Sequence, residues 1–459
     1  MTDHSVVLGA GIAGLLAAAA LADTSRVVTV VERDRLPDNP SQRRGIPQGP
    51  HLHSLLSRGW HTIEELVPGL IDDVVAAGGH VLDDARLGAR MHIQNGPYAF
   101  NRTDPVADPA ALATYLVTRP LLEWALRHRV AALPNVIIKD GHDIGELVSG
   151  KPGRITGVTI NDRRTGAMKT LDADLVIDAT GRATRTPRLL ETLGYDRAPR
   201  QSFTVRGVYY SQQLAIPDQD SFPERLVLVV PPGSAGRGGL AAGEHGTWTL
   251  TIATHADERS APPTTLADML ALAVKFAPSH IHPALRRAVP LSDVEVYRYP
   301  GGTWHRYDRC ARNPDGLLVI GDALCCLDPI HGQGITMAAR HAQALRTHLR
   351  ERKGVDPQRF YQSLTRMIAP VWASNQPPGH TSDRGVKDKV RRRAFQWSLR
   401  KMLEAADDIV VTERLVRIVN MVDPPQRLLE PRILARVAAY HLRKALPLSA
   451  SCLRTKAHS

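Results

Sequence analysis

The chain has 459 residues, 43% of them hydrophobic and 23% charged, an ordinary globular composition with enough length for two or three domains or one composite fold. The formal net charge of +12 is spread along the chain, and its densest basic run, Lys387–Arg393, has no interleaved aromatics, so no nucleic-acid partner is expected. Cys310, Cys325, Cys326 and Cys452 lack the number and spacing of a disulfide framework or a metal site, and no stretch approaches the roughly 20 apolar residues of a membrane span.

The first predicted strand follows MTDHS directly, which leaves no room for a signal peptide and predicts a cytoplasmic protein. Residues 6–33, VVLGAGIAGLLAAAALADTSRVVTVVER, read as strand, glycine turn, helix and second strand. Val6, Val7 and Leu8 form a buried strand, Gly9 lets the chain turn sharply, Gly11 bares the backbone to a pyrophosphate, and Gly14 lets the helix Ile12–Ala22 pack closely. The helix points its positive end at the phosphates. The strand Val27–Val31 delivers Glu32, whose carboxylate suits the two hydroxyls of an unphosphorylated ribose. Strand before, helix after and acid at the right distance mark an adenine-dinucleotide site.

Residues 33–60 follow as a long polar loop, of a length that usually carries function. Leu112–Val130 predicts a helix, capped or kinked at Thr118. Val136–Ile138 and Gly157–Ile160 read as strands, and ADLVIDATGR, residues 173–182, as a buried strand ending in a tight turn. From Phe203 to His255 alternating segments predict an antiparallel sheet, with the glycine-rich stretch 233–241 as a hairpin loop. Leu266–Ala277 predicts a helix, Asp293–Tyr299 a strand, residues 316–323 a return to the parallel sheet, and Ile335–Arg350 a long helix. The remainder is mainly helical, with breaks at Pro377–Pro378 and Pro424–Pro425 and an amphipathic segment, Arg432–Lys444, expected to pack on the body. The expected domains are 1–195 with 300–352, then 196–299, then 353–459.

NAD and FAD share the adenine half, so the first motif does not separate them. Residues 315–345, DGLLVIGDALCCLDPIHGQGITMAARHAQAL, do. Asp322 at a strand end can bond a ribityl hydroxyl, and Pro329 can wall the reacting edge of a flavin ring. The turn Gly332-Gln333-Gly334 at a helix start can stabilise negative charge on the reduced ring. Cys325 and Cys326 read as small buried residues beside the cofactor.

On these two motifs the chain resembles the flavoprotein monooxygenases of the para-hydroxybenzoate hydroxylase type fold. The resemblance implies an α/β fold: a Rossmann-like FAD-binding domain of the glutathione-reductase type, interrupted by an antiparallel β-sheet substrate domain, with a helical C-terminal region. It implies that FAD is held by Gly9, Gly11, Gly14, Glu32, Arg33, Gly321, Asp322, Pro329, Gly332, Gln333 and Gly334, and that Arg119 in VTRPLLEWALR reaches the flavin side. QRRGIPQGPHLHSLLSRGWHTIEELVPGL, ADLVIDATGR and DGLLVIGDALCCLDPIHGQG further resemble the actinobacterial flavin epoxidases that oxidise polyenes in polyether biosynthesis. That likeness implies a flavin-loop role for Arg43, with Gln48, His51 and His53 lining or bracing the loop. Aromatic hydroxylases of the wider family carry Asp-Gly where this chain has Thr180-Gly181, which puts direct pyridine-nucleotide binding in question, and the halogenase signature WxWxIP is absent.

The implied chemistry belongs to the cofactor: reduced FAD and O2 form a C4a-hydroperoxide that donates its distal oxygen. NADPH or NADH is the expected electron source, directly or through a separate flavin reductase. No base pairing is compelling in the sequence, with His53, Asp328 and His331 as the pocket candidates. This favours epoxidation of an alkene in polyketide or terpenoid biosynthesis over hydroxylation of an aromatic substrate. A reductase or dehydrogenase of the same fold acting on a lipid, as in the geranylgeranyl reductases, is the other alternative. An apolar small-molecule substrate is expected against Phe203, Val205, Tyr209, Trp248, Leu250 and Ile252.

Overall fold

The structure, a computed structural model, describes residues 2–150, 152–217, 219–232, 236–255, 261–351, 354–377 and 396–445. In chain order its principal elements begin with β1 (Thr2–Leu8), α1 (Ile12–Ala22) and β2 (Ser25–Val31). The loop 32–56 leads to α2 (Ser57–Leu66), β3 (Met91–Asn95), α3 (Arg119–Ala131), β4 (Val136–Lys139) and β5 (Leu175–Asp178). Next come β6 (Arg200–Ala215), β7 (Leu226–Val230), β8 (Arg237–Ala242), β9 (Thr247–His255), α4 (Leu266–Ala273) and β10 (Glu295–His305). The chain closes with β11 (Leu317–Val319), β12 (Cys325–Cys326), α5 (Gly334–Glu351), α6 (Pro357–Asn375), α7 (Ile409–Val419) and α8 (Pro431–Ala445).

A five-stranded parallel sheet has the order β11–β5–β1–β2–β4. Its central strands carry apolar residues on both faces because both faces are covered; Val6, Val7, Val28, Val30, Leu175–Ile177 and Leu318–Ile320 are fully buried. The chain leaves this sheet at Asp178, runs through β6 to β10, and returns at Leu317 as β11, so the carboxyl ends of β1, β5 and β11 lie side by side, the usual place for a ligand in such sheets.

Between them a nine-stranded sheet runs β12–β10–β6–β9–β8–β7–β3, with Tyr98–Ala99 at one edge and Val289–Pro290 beside β6. It is not wholly antiparallel: β3, from the N-terminal stretch, pairs with β7 in parallel, Met91 opposite Leu226. The expected boundaries at 195 and 300 therefore cut across the sheet, which takes β3 from one side and extends β10 past the other. On β9, Trp248, Leu250 and Ile252 point into an outer layer formed with Leu240, Met269 and Ala273, while Thr251 and Ala253 face the other way.

Three local expectations change. Leu112–Val130 is not one helix: a short turn ends at Leu112, Thr114–Leu116 pairs with His80–Leu82, and α3 starts at Arg119. Pro120 has no N–H and would clash with a preceding helical carbonyl, so the helix restarts, with Thr118 Oγ1 accepting from Leu121 N at 3.4 Å. Within the glycine-rich stretch 233–241, residues from Arg237 onward form β8 rather than loop; a Cβ on Gly238 would lie 2.2 Å from the Phe276 ring, so glycine there admits that ring rather than a turn. Gly233–Ala235 lie outside the described residues, as do the basic run Lys387–Arg393 and Pro378. The helix α4 stops at Ala273, a turn short of Ala277.

The C-terminal third is two things. α6 packs Phe360, Leu364, Ile368 and Trp372 into the main core. α7 and α8 have their own cluster around Met402, Val411, Leu415, Ile433 and Val437, so the apolar face of Arg432–Lys444 packs on α7 and its neighbouring C-terminal segments rather than on the main core, and Leu434 stays exposed. Val416 of α7 reaches the sheet beside Leu226. Among the described residues no helix is long and apolar enough to cross a membrane.

Candidate cofactor and substrate site

The three glycines after β1 do different work. Gly9 has φ +98°, and a Cβ there would lie 2.8 Å from the Ala179 carbonyl oxygen; one on Gly14 would lie 1.9 Å from the Gly9 carbonyl oxygen. Those two are glycines for packing. A Cβ on Gly11 would meet nothing nearer than Ile46 Cδ1 at 3.8 Å and would project into the cleft. Gly11 caps α1 without a side-chain bond, so first-turn amides of the helix remain open to an anion.

Glu32, at the end of β2, is buried and accepts from the Ala10 and Asp34 amides at 2.8 and 2.9 Å. Beside it Arg43 lies 3.3 Å from Glu32, 3.3 Å from Asp34 and 3.5 Å from Glu123. Burial works against the charge on Arg43, but Glu123, Glu32 and Asp34 outweigh it and raise its pKa. Arg119 reaches Glu123 at 3.5 Å and donates to His53 Nε2 at 3.3 Å. His53 gives its Nδ1 proton to the His51 carbonyl at 2.8 Å, so its Nε2 is the acceptor. Burial, reinforced by Arg119, pushes the His53 pKa down to about 3 and removes it as a base near neutrality. The buried Nε atoms of Arg43 and Arg119 have no partner among the described residues. Bare Gly11 and the free Nε–H of each of these otherwise ion-paired arginines fit the phosphates and polar edge of a dinucleotide. Arg33, more exposed, lies at the rim.

Beyond β11, Gly321 at φ +61° donates its amide to His341 Nδ1 at 3.1 Å. Asp322 lies on the cleft floor; burial pushes its carboxyl up, against the pull of Arg119 and Arg182. Cys326 lines the same wall, its thiol pushed up by burial and by Asp322. Pro329 is exposed to the cleft, Gly332 takes φ +63°, Gln333 accepts from Asn375 Nδ2 at 2.8 Å, and α5 begins at Gly334 with no atom within 4 Å of a Cβ there. The two glycine-bearing segments, three hundred residues apart in sequence, thus border one cleft of about 2310 Å³. Pockets that hold drug-sized ligands are about 300–1,000 Å³, so the cleft has room for a dinucleotide and a second molecule.

The far end of the cleft is lined by Tyr209, Leu228, Val230, Ala253, Tyr297 and Tyr299, and bordered by Leu415, Val416 and Val419 of α7 and by Met421 just after it. Of the six expected substrate residues only Tyr209 faces it. Trp248, Leu250 and Ile252 stand on the opposite face of β9, because the larger apolar residues of the alternation fill the layer under α4 and the smaller ones line the cleft. Phe203 packs on Trp372, ring centroids 4.9 Å apart, and Val205 belongs to the core contacts beside it. The structure also shows a pairing that the sequence conceals: Tyr209 Oη donates to Asp328 Oδ1 at 3.0 Å, and burial with that carboxylate keeps the phenol protonated. Asp328 is 5% exposed and also accepts from the Ile330 amide at 3.1 Å. His331 faces the same cavity, with burial pulling its pKa down against the attraction of Asp328.

Residues 2–354 match the FAD binding domain family. The chain belongs to this family of FAD-dependent monooxygenases, and FAD is its cofactor. It is 34% identical over 457 residues to Protein Rv3254 of Mycobacterium tuberculosis (strain ATCC 25618 / H37Rv), covering 96% of this chain and 94% of the relative. Its fold is similar to that of PqsL, a probable FAD-dependent monooxygenase from Pseudomonas aeruginosa, with TM-score 0.60 and 18% identity over 90% of this chain and 99% of that one. It is similar also to the flavin-dependent brominase Bmp2, with TM-score 0.62 and 15% identity over 96% of this chain and 100% of that one.

Proposed function

We propose that the protein inserts one oxygen atom of O2 into a secondary metabolite with an apolar body, and that its reaction is the epoxidation of an alkene. What supports this is the continuity of a single cleft from the dinucleotide turn to an apolar chamber. FAD, when bound, supplies the oxygen activation. Gly9, Gly11 and Gly14 shape the pyrophosphate turn, Glu32 with Arg33 meets the ribose, Arg43 and Arg119 serve the loop and flavin side, and Asp322 anchors the ribityl chain. Gly321, Pro329, Gly332, Gln333 and Gly334 frame the ring. Leu228, Val230, Ala253, Val416 and Val419 exclude water from the reacting edge. Electrons come from NADPH or NADH, directly or through a separate flavin reductase.

Hydroxylation of a phenol is the second reading, and the Tyr209–Asp328 pair favours it. With its own proton committed to Asp328, the Tyr209 oxygen can accept the substrate hydroxyl proton and pass one to Asp328 Oδ1. The deciding experiment gives reduced holoenzyme isotopically labelled dioxygen with a set of conjugated polyenes and a set of phenols. One labelled oxygen in an epoxide supports the first reading, and one in a catechol or quinol selects the second. Anaerobic saturation of a polyene, with no labelled product from either set, would overturn both in favour of a reductase.

A further inference from the structure

The substrate end of the cleft contains a histidine whose hydrogen bonding is incomplete. His51 is 8% exposed, lines the cleft, and its Nε2 has no partner among the described residues. Its Nδ1 lies 2.7 Å from Ser211 Oγ, which lies 2.6 Å from Thr251 Oγ1. Thr251 Oγ1 already accepts from the Leu52 amide at 3.0 Å.

This chain of groups can run in two directions. If His51 Nδ1 donated, Ser211 would donate to Thr251, whose oxygen would accept twice and whose own proton would find no acceptor among the described residues. In the other direction Thr251 donates to Ser211 and Ser211 to Nδ1. Every hydroxyl proton is then used, and the ring carries its proton on Nε2. The use of every hydroxyl proton within the network favours that direction. Burial keeps the ring neutral, with its pKa pushed down to about 4.

We infer that the His51 Nε2–H is a substrate-anchoring donor that binds a carbonyl oxygen carried on the apolar body of the substrate. The donor stands beside Tyr297 and Tyr209, ring centroids 5.7 and 6.5 Å away, where an unmatched N–H is unfavourable until a ligand oxygen meets it. Tyr209 cannot replace it, because its proton is committed to Asp328. The inference rests on the cleft's being the chamber for the oxidised substrate, and it narrows that substrate to a molecule with one fixed oxygen. The distance from that oxygen then selects which double bond, or which ring position, is presented.

The test uses oxidised holoenzyme with isotope-labelled histidine and needs no turnover. Nuclear magnetic resonance should show His51, identified by the signal missing in His51→Phe, as a neutral ring protonated at Nε2. Ser211→Ala should return it to a mixture of tautomers. The probes are β-ionone, a conjugated ketone, and the same skeleton with a methylene in place of the carbonyl. The ketone should shift the Nε2–H signal and bind about fivefold more tightly. That preference should vanish in His51→Phe and survive in part in His51→Gln, which keeps an N–H donor. A ring protonated at Nδ1, equal binding of the two probes to the unaltered protein, or a preference unchanged in His51→Phe would each overturn the inference. Should His51→Phe not fold, the tautomer, the probe pair and His51→Gln still decide it. Loss of labelled-oxygen transfer would instead count against the oxygenase reading and leave this result standing.

Discussion

Replacing Gly11 by alanine should separate cofactor binding from folding. Gly11 has φ −73° and ψ 177°, extended backbone open to any residue, and its new methyl would touch only Ile46 Cδ1 at 3.8 Å and Glu123 Oε1 at 4.0 Å. As a helix cap alanine is poorer than glycine by about 0.5–1 kcal/mol. Restricting the unfolded chain returns about 0.4–1 kcal/mol. The apoprotein should therefore change in stability by less than about 0.5 kcal/mol. The same methyl enters the space where a pyrophosphate must approach the first amides of α1. Losing one charge-assisted hydrogen bond there costs about 1.5–3 kcal/mol, which is about 10- to 140-fold in Kd. Gly14→Ala is the control: its Cβ would lie 1.9 Å from a backbone oxygen that no rotamer can move, so α1 must shift, at about 1–3 kcal/mol or more. FAD titration followed by flavin fluorescence, together with urea unfolding of both apoproteins, reads the two effects apart. The reasoning is refuted if Gly11→Ala binds FAD within about a factor of three of the unaltered protein, or if it destabilises the apoprotein as much as Gly14→Ala.

Asp322→Ala should release most of the flavin; undiminished yellow colour after gel filtration would show the cofactor to be held elsewhere. Trp248, fully buried against Phe222 with ring centroids 5.4 Å apart, should cost about 3–5 kcal/mol on truncation to alanine and leave the selectivity of whatever folds unchanged. Tyr209→Phe should do the reverse, changing turnover of hydroxyl-bearing substrates with a stability loss of about 1–2 kcal/mol; equal kinetic effects of the two variants would sink the assignment of faces. Burial depresses the pKa of His51 to about 4 and of His341 to about 3, so both rings stay neutral in the folded protein at pH values where the unfolded chain takes up protons. Their stabilisation is complete above about pH 6.5 and is lost as the pH falls toward those folded values. Between pH 7.5 and 5.5 the loss should be on the order of 2–3 kcal/mol for the two together. Urea midpoints of the apoprotein at both pH values, compared with His341→Gln, would show it; a slope unaltered in the variant would count against it.

The dinucleotide turn was legible because everything it needs is local. Strand, bend, helix and Glu32 lie within 33 residues, and the glycine positions follow from sterics that any parallel sheet imposes. The segment from Gly321 to Gly334 was legible for the same reason. Alternation in TWTLTIATH correctly marks a strand with two unlike faces, but alternation carries no label saying which face meets a ligand. The bulky set went to the outer layer because α4 supplies apolar partners there, whereas Thr251 and Ala253 leave room for the cleft. Thr118 does cap α3 as its sequence suggested, but the start at Leu112 misled because the apolar spacing extends N-terminal to Pro120, whose ring excludes a helical turn before it.

Two residues 119 positions apart, Tyr209 and Asp328, meet only because β6 passes the turn after β12; likewise His51 meets Ser211 across 160 positions. No periodicity within either segment encodes such a meeting. By itself the sequence determined that this chain binds FAD and that glycine-bearing bends stand at Gly9–Gly14 and Gly321–Gly334, since short-range backbone geometry decides such bends. Which side chains line the far end of the cleft, and that α7 borders it, only the tertiary structure decided, because those groups come from segments whose proximity depends on how the two sheets and the C-terminal helices pack.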